Sequence, residues 1–384
     1  LEVTNYAKIN ILFVKKTFDI IIVGGGLAGL STAIISRKMG LSVLLIEKYS
    51  YPFHKVCGEY ISNEVRPFFK FIGLDLEALG VADIHTLQVS AANGNVAKSH
   101  LKSGGFGISR YKLDYELAKL ATEIGVEVMT ETQVNSVEAH QVTTSKKEVF
   151  SGKIIVGSYG KRGNLDKHLN RQFIDERSGY VGVKYHIKTD FPKDVIALHN
   201  FKGGYCGMSA IEEDLYCLCY LIDREVIRKH GSIDETERNV LSKNKYLSEI
   251  FQHSEFVYDK PLVINEISFN KKSKQERGML MVGDTAGLIT PLCGNGMAMA
   301  IRGGVKLSEL IYKQLNDSTE TDLYQEYLTY WNSEFRTRLW AGRNLQKLFG
   351  SNLPTNLAIG FFQNFPSLLP PVVKLTHGDE MVFS

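Results

Sequence analysis

The first clear pattern along the chain is a β-branched run, Phe18 to Val23, closed by glycines. A segment with helical character, Leu27 to Met39, follows it, and then a second apolar run, Ser42 to Glu47. Together they read as a βαβ unit. Both runs are continuously apolar rather than alternating, which calls for parallel strands buried on both faces. A second helix is expected over Tyr111 to Ile124, because Leu113, Leu117, Leu120, Ala121 and Ile124 share one face. It leads through Gly125 into a strand at Val126 to Thr130. Further apolar strands are expected at Lys153 to Val156, running into Gly157, and at Gly278 to Val282, running into Gly283 and Asp284.

The stretches between these elements alternate instead. Tyr180 to Ile187 and Leu215 to Ile222 are of the alternating kind that suits an antiparallel sheet. The expected architecture is therefore α/β. A Rossmann-type domain is built from 17–75, 107–164 and 273–318, and a mainly antiparallel β-sheet domain, 76–106 and 165–272, is inserted into it. A helical C-terminal region, 319–384, completes the chain: from Thr321 onward Tyr324, Tyr327, Trp331, Phe335 and Leu339 recur on one helical face. The segment Leu353 to Val373 is apolar, aromatic and broken by Pro354, Pro366, Pro370 and Pro371. There is neither an internal repeat nor a low-complexity tract.

Composition adds little to this picture but removes several function classes. With 384 residues, 44% hydrophobic and 23% charged, the chain has ordinary globular content. A net charge of +3 without a dense basic face gives no reason to expect a nucleic-acid partner. The 5 cysteines, Cys57, Cys206, Cys217, Cys219 and Cys293, are odd in number and lack CxxC spacing, so neither a disulfide framework nor a metal site is expected. A reducing, cytoplasmic compartment follows. The apolar patch Ile9 to Val14 is shorter than a signal h-region, and residues 1–16 read as an extension. No apolar run reaches the roughly 18–20 residues that span a bilayer.

The candidate chemistry begins at Gly24-Gly25-Gly26-Leu27-Ala28-Gly29, a GxGxxG set between a strand and a helix, with Glu47 at the end of the next strand. Gly24 permits the tight turn, Gly26 lets backbone approach a pyrophosphate, and Gly29 lets the helix pack on the strand. The helix N-terminus offers N–H groups to phosphate, and Glu47 accepts from ribose hydroxyls. A second motif lies far downstream: Gly283-Asp284-Thr285-Ala286-Gly287, then Pro291, then Gly294-Asn295-Gly296-Met297. An aspartate at a strand end binds a polyol, and glycines opening a helix present N–H groups to an electron-rich ring edge. A ribityl chain and a flavin pyrimidine need both, so the cofactor expected is FAD.

With these motifs stand Lys55-Val56-Cys57-Gly58-Glu59 and Ser109-Arg110-Tyr111-Lys112-Leu113-Asp114. Over roughly residues 17–315 the chain resembles the glutathione-reductase-like FAD oxidoreductases, and within them the geranylgeranyl reductase group, related to aromatic hydroxylases and flavin halogenases. The resemblance implies an FAD site lined by Ala28, Glu47, Cys57, Gly58, Arg110, Val134, Asp284, Gly296 and Met297, with Leu27, Lys48 and Gly294 beside them. Arg110 would bridge cofactor phosphate or ribityl oxygens, or else form a surface ion pair. Cys57 is the candidate catalytic residue: beside a flavin it would donate a proton, form a transient adduct, or simply pack as a small apolar side chain. His54 stands where relatives carry Arg or Asp.

Departures from the family pattern bear on the reaction. Ring hydroxylases carry an Asp-Gly pair where this chain has Tyr159-Gly160, which counts against fast NAD(P)H-coupled hydroxylation. The reductases' Tyr-x-Trp-x-Phe-Pro strand is here Gly203-Gly204-Tyr205-Cys206-Gly207-Met208-Ser209, leaving Tyr205 as the candidate substrate residue. The halogenase Trp-x-Trp-x-x-Pro motif is missing, since the two tryptophans, Trp331 and Trp340, lie in the C-terminal part, and this speaks against halogenation. No second βαβ-type glycine loop is visible, so NADH or NADPH would bind transiently, or electrons would come from a donor protein. Cys217 and Cys219 alternate on a strand and read as core. The C-terminal apolar segment packs on the core, caps a lipophilic channel or touches a membrane surface. The leading expectation is an FAD-dependent reductase of C=C bonds in an isoprenoid- or polyketide-like substrate. A monooxygenase of an aromatic or polyketide compound is the alternative, and a flavin-free prenyl-binding escort the third.

Overall fold

The computed structural model describes residues 16–175, 179–317 and 322–383; the patch Ile9 to Val14 and the boundary expected at 318–319 lie outside them. The run of apolar β-branched residues becomes the strand Thr17–Val23, which pairs in parallel with Val43–Ile46 on one side and Val149–Gly157 on the other. Ile20, Ile21 and Ile22 are all 0% exposed, the double-sided burial that a continuous apolar run implies. The sheet order is Gln275–Glu276, Met279–Met281, Val149–Gly157, Thr17–Val23, Val43–Ile46, Glu127–Met129, and a hairpin of Val134–Glu138 with Gln141–Thr144 joins it through Val149–Gly157. Helix Leu27–Lys38 packs against helix Gly296–Asn316, and Gly304 makes the crossing possible. A Cβ there would overlap Ser31 Oγ and lie 2.8 Å from the Ala28 carbonyl oxygen.

The second sheet runs Glu255–Phe256, Tyr180–Lys188, Tyr216–Asp223, Gly204–Ala210, Val195–Phe201, Ala82–Ser90, Val96–Gly107, Tyr60–Ser62, with Leu262–Ile267 also on Tyr180–Lys188. Its pairings are antiparallel except that Val195–Phe201 runs parallel to Ala82–Ser90. Tyr60–Ser62, from the segment grouped with the Rossmann domain in the sequence, pairs at the edge of this sheet with Gly105 to Gly107. Alternation here separates two buried faces rather than a dry face from a wet one. Val181, Val183, Tyr185 and Ile187 enter one core, while Lys184 and His186, on the opposite face, are 0% and 3% exposed. The reason is that this face is covered by the segment carrying Glu59.

The aromatic stripe forms helix Leu323–Leu348, which buries Tyr327, Trp331, Phe335 and Leu339, and the Tyr327 hydroxyl donates to the Met281 carbonyl at 3.0 Å. Beyond it, helices Asn352–Asn364 and Leu369–Lys374 lie over the second sheet. Their prolines sit where prolines are tolerated, Pro354 in a first turn and Pro370 at a helix start. Among the described residues no helix is long and apolar enough to cross a membrane.

Candidate functional site

Within the first glycine motif the three glycines meet different constraints. Gly24 has φ +107°, and a Cβ on it would lie 2.6 Å from the Ser158 backbone. A Cβ on Gly29 would overlap the Gly24 carbonyl oxygen, which already accepts the Ser158 hydroxyl at 2.6 Å. Gly26 is different. Its extended φ of −84° suits any residue, and a Cβ there would meet only the Arg110 and Lys55 nitrogens, at 3.7 and 3.8 Å. It caps helix Leu27–Lys38 without a side-chain cap, leaving first-turn N–H groups for an external acceptor.

Glu47 is buried at the end of its strand, accepting the Gly25 N–H at 2.7 Å and the Tyr49 N–H at 3.1 Å. It therefore shapes the loop as well as facing its rim. Leu27 and Ala28 are buried, and the Ala28 methyl would collide with a Cβ on Gly283 at 2.7 Å, so the two glycine motifs touch. Val134 is buried where its hairpin begins, and Lys48 is exposed, its ammonium 4.6 Å from the Tyr49 ring centre.

Above Gly26 sits a cation pair. Asp114, almost fully buried, receives Arg110 through two hydrogen bonds of 2.8 and 2.7 Å and Lys55 through one of 2.8 Å. One carboxylate thus balances two cations, and the excess positive charge lies over an uncapped helix N-terminus. These residues fit a pyrophosphate. Arg110 joins an ion pair, as one of its two expected uses required, but a buried one.

The second motif supplies the facing wall. Gly283 has φ +62°, and the Asp284 carboxylate, half-buried, accepts no hydrogen bond from a described residue. The Asp284 carbonyl takes the Lys272 ammonium at 3.0 Å; burial pulls that ammonium down to about 8, against the pull of Asp284. Gly294, φ +62°, turns against the Tyr60 ring, and Gly296 opens helix Gly296–Asn316, also without a side-chain cap. Met297 Sδ lies 3.6 Å from Cys57 Sγ, bringing together residues 240 positions apart, with Gly58 exposed beside them. Asn295 anchors the turn by bonding Glu64 and accepting from Arg338 at 3.1 Å.

Sequence reasoning missed the cluster beneath Cys57. Glu59, fully buried with φ +55°, accepts the Arg110 backbone N–H at 2.7 Å, the Lys184 ammonium at 2.5 Å and His186 Nε2 at 2.6 Å. Burial alone would raise its carboxyl, but Lys184 and His186 hold it at about 2. His186 Nδ1 meets the Tyr258 hydroxyl at 2.8 Å, and Tyr258 reaches His54 at 3.2 Å. Burial, with Lys184 nearby, lowers the His54 pKa. Cys217, read as core, is buried and directs its thiol to the Cys57 carbonyl at 3.2 Å, while Cys219 is half-buried. Glu59, His186 and Cys217 place ligand atoms within 4.8 Å of one another, yet the Lys184 ammonium already supplies the cation there. The only sequence signal was a lysine and a histidine two apart in an otherwise apolar strand.

A partly open apolar cavity of about 120 Å³ adjoins the second motif. Leu87, Val89 and Leu198 of the second sheet, Ile359 and Phe362 of helix Asn352–Asn364, and Leu292 to Gly294 line it. Tyr205 stands one layer back, 2% exposed, its ring 5.9 Å from that of Phe349 in the cavity wall.

Two measurements probe this geometry. Gly26→Ala should leave the melting temperature of the apoprotein within about a degree, since its methyl group has room, while cutting FAD affinity about tenfold or more. Gly29→Ala should instead destabilise the fold by ~1–3 kcal/mol. Equal effects of the two on melting would refute the distinction. Removing the Glu59 charge with Glu59→Gln strands the Lys184 cation and should cost about 3–5 kcal/mol at neutral pH. Because the folded pKa of Glu59 is depressed from 4.5 to about 2, its contribution is complete above 4.5 and lost as pH falls from 4.5 through about 2. Denaturant titrations should show the wild-type advantage shrinking across that window; a constant gap would contradict the assignment.

Known proteins share sequence or fold with this chain. The chain is 22% identical to conditioned medium factor receptor 1 of Dictyostelium discoideum, over 84% of this chain and 68% of that one. It is 24% identical to the digeranylgeranylglycerophospholipid reductase of Thermoplasma volcanium, over 77% of this chain and 78% of the other. The solved structure of the flavin-dependent brominase Bmp2 superposes with a TM-score of 0.78 at 19% identity, covering 94% of this chain and 93% of that one, a likeness of fold. The family profile described as an FAD binding domain matches residues 17–332, and with the pyrophosphate cradle at Gly26 and the second motif facing it, this chain belongs to that family of FAD-dependent oxidoreductases.

Proposed function

We propose that this chain reduces C=C bonds of a lipophilic, isoprenoid- or polyketide-like substrate. The observation that carries the reading is the apolar cavity ending on Leu292 to Gly294, within the motif assigned to the flavin. Its walls are almost wholly apolar, as a lipophilic ligand requires. The relative named as a digeranylgeranylglycerophospholipid reductase and Tyr159 in place of the hydroxylase aspartate support reduction over hydroxylation.

FAD held between the two motifs would supply the hydride from its N5 atom. Gly26, with Arg110 and Lys55, would hold the pyrophosphate, Glu47 the ribose, and Asp284 the ribityl hydroxyls. The N–H groups at Gly296 and Met297 would face the ring edge, and Cys57, whose thiol lies beside Met297, would give the proton that the second carbon needs. Electrons would arrive from NADH or NADPH bound transiently, or from a donor protein.

A peripheral membrane contact belongs to the same reading. Leu353, Leu357, Phe361, Phe365 and Leu368 are exposed by 70, 66, 48, 53 and 46%, and helix Asn352–Asn364 turns its other side to the cavity. Anaerobic mixing of photoreduced holoprotein with polyprenyl substrates should reoxidise the flavin without oxygen. Leu357→Asp with Phe361→Asp should slow the reaction with substrate presented in phospholipid vesicles but not in detergent. Strict dependence on oxygen would contradict the reduction and favour the hydroxylase.

A further inference from the structure

We infer that the substrate carries a hydrogen-bond donor, a hydroxyl or a ring N–H, which meets Nε2 of His377 in the wall of the apolar cavity. The inference rests on the lipophilic-substrate reading above and narrows the substrate class.

Few side chains in the cavity wall are polar, and each but one is matched within the protein. The Tyr60 hydroxyl donates to the Gly104 carbonyl at 3.3 Å, and Thr355 Oγ1 to the Ser351 carbonyl at 2.6 Å. Thr376 Oγ1 donates to the Val373 carbonyl at 2.8 Å, and the Cys293 thiol meets Thr290 Oγ1 at 3.3 Å. His377 is the exception. Its Nδ1 lies 3.0 Å from the Val373 carbonyl oxygen, which can only accept, and 3.1 Å from Thr376 Oγ1, whose own hydrogen goes to that carbonyl, so Nδ1 carries the hydrogen. Burial lowers the pKa of the ring and favours its neutral form, which leaves Nε2 as a bare acceptor. That atom is buried and has no hydrogen-bond partner among the described residues.

A buried acceptor without a donor is costly, and a ligand that brings a donor recovers the loss. The position also sets an orientation. Thr376, adjacent in the chain, lies beside Cys293, so His377 stands at the end of the cavity that borders the second glycine motif. The substrate's polar end would sit near that motif, with its apolar chain running out along Leu87, Val89 and Ile359.

Calorimetric titration of the FAD-loaded protein with two matched pairs tests this: farnesol against farnesyl methyl ether, and 3-octylindole against its N-methyl derivative. In at least one pair the donor-bearing ligand should bind about tenfold more tightly than its methylated partner, and the pair that shows the gap identifies hydroxyl or ring N–H. His377→Leu should close the gap by weakening the donor-bearing ligand alone, whereas His377→Gln, which keeps an acceptor, should retain part of it. Equal binding within both pairs in the wild type overturns the inference and leaves the lipophilic reading standing, a result that needs no variant to fold. A gap that survives in His377→Leu also overturns it. Failure of all four ligands to bind removes the lipophilic reading, and the inference with it.

Discussion

The arrangement of the site depends on one buried carboxylate. Glu59 is held in a left-handed backbone conformation between the two sheets, and it bonds the start of helix Arg110–Glu123, the ammonium of Lys184 and the ring of His186. Through these contacts the segment carrying Cys57, the helix carrying Arg110 and the second sheet meet at a fixed spacing. A buried charge is tolerated only with partners of this quality, and a half-satisfied version would cost more than an apolar one. The cation pair over Gly26 follows from it, since Arg110 and Lys55 flank the same joint and converge on Asp114.

Much of the cofactor half was legible in the sequence because local physics decides it. A continuous apolar run, a glycine that must sit against a carbonyl and a carboxylate ending the next strand are short-range requirements, and Gly24, Gly29 and Glu47 meet them where the pattern placed them. Helix Leu323–Leu348 was equally readable, because Tyr327, Trp331, Phe335 and Leu339 repeat at the helical period.

The rest was hidden by long-range packing. Alternation in Tyr180–Lys188 looks the same whether the second face meets water or protein, so nothing within the strand marks Lys184 and His186 as buried against Glu59. The cavity is assembled from Leu87, Leu198, Leu292 and Ile359, four segments that no local pattern links. Tyr205 drew attention through a motif, yet the ring nearer the cavity is Phe349, from the end of a helix far along the chain.

The cavity is bounded at one end by Leu292 to Gly294 of the second glycine motif, and this adjacency is what ties a flavin to a lipophilic substrate in the proposed reaction. A crystal structure of the holoprotein with a bound polyprenyl alcohol tests the tie most directly. The expected result is a pyrophosphate against Gly26 beneath Arg110 and Lys55, with the prenyl chain between helix Asn352–Asn364 and the second sheet and its polar end beside Cys293. A flavin that fails to bridge the two glycine motifs, or a prenyl chain bound away from this segment, would contradict it.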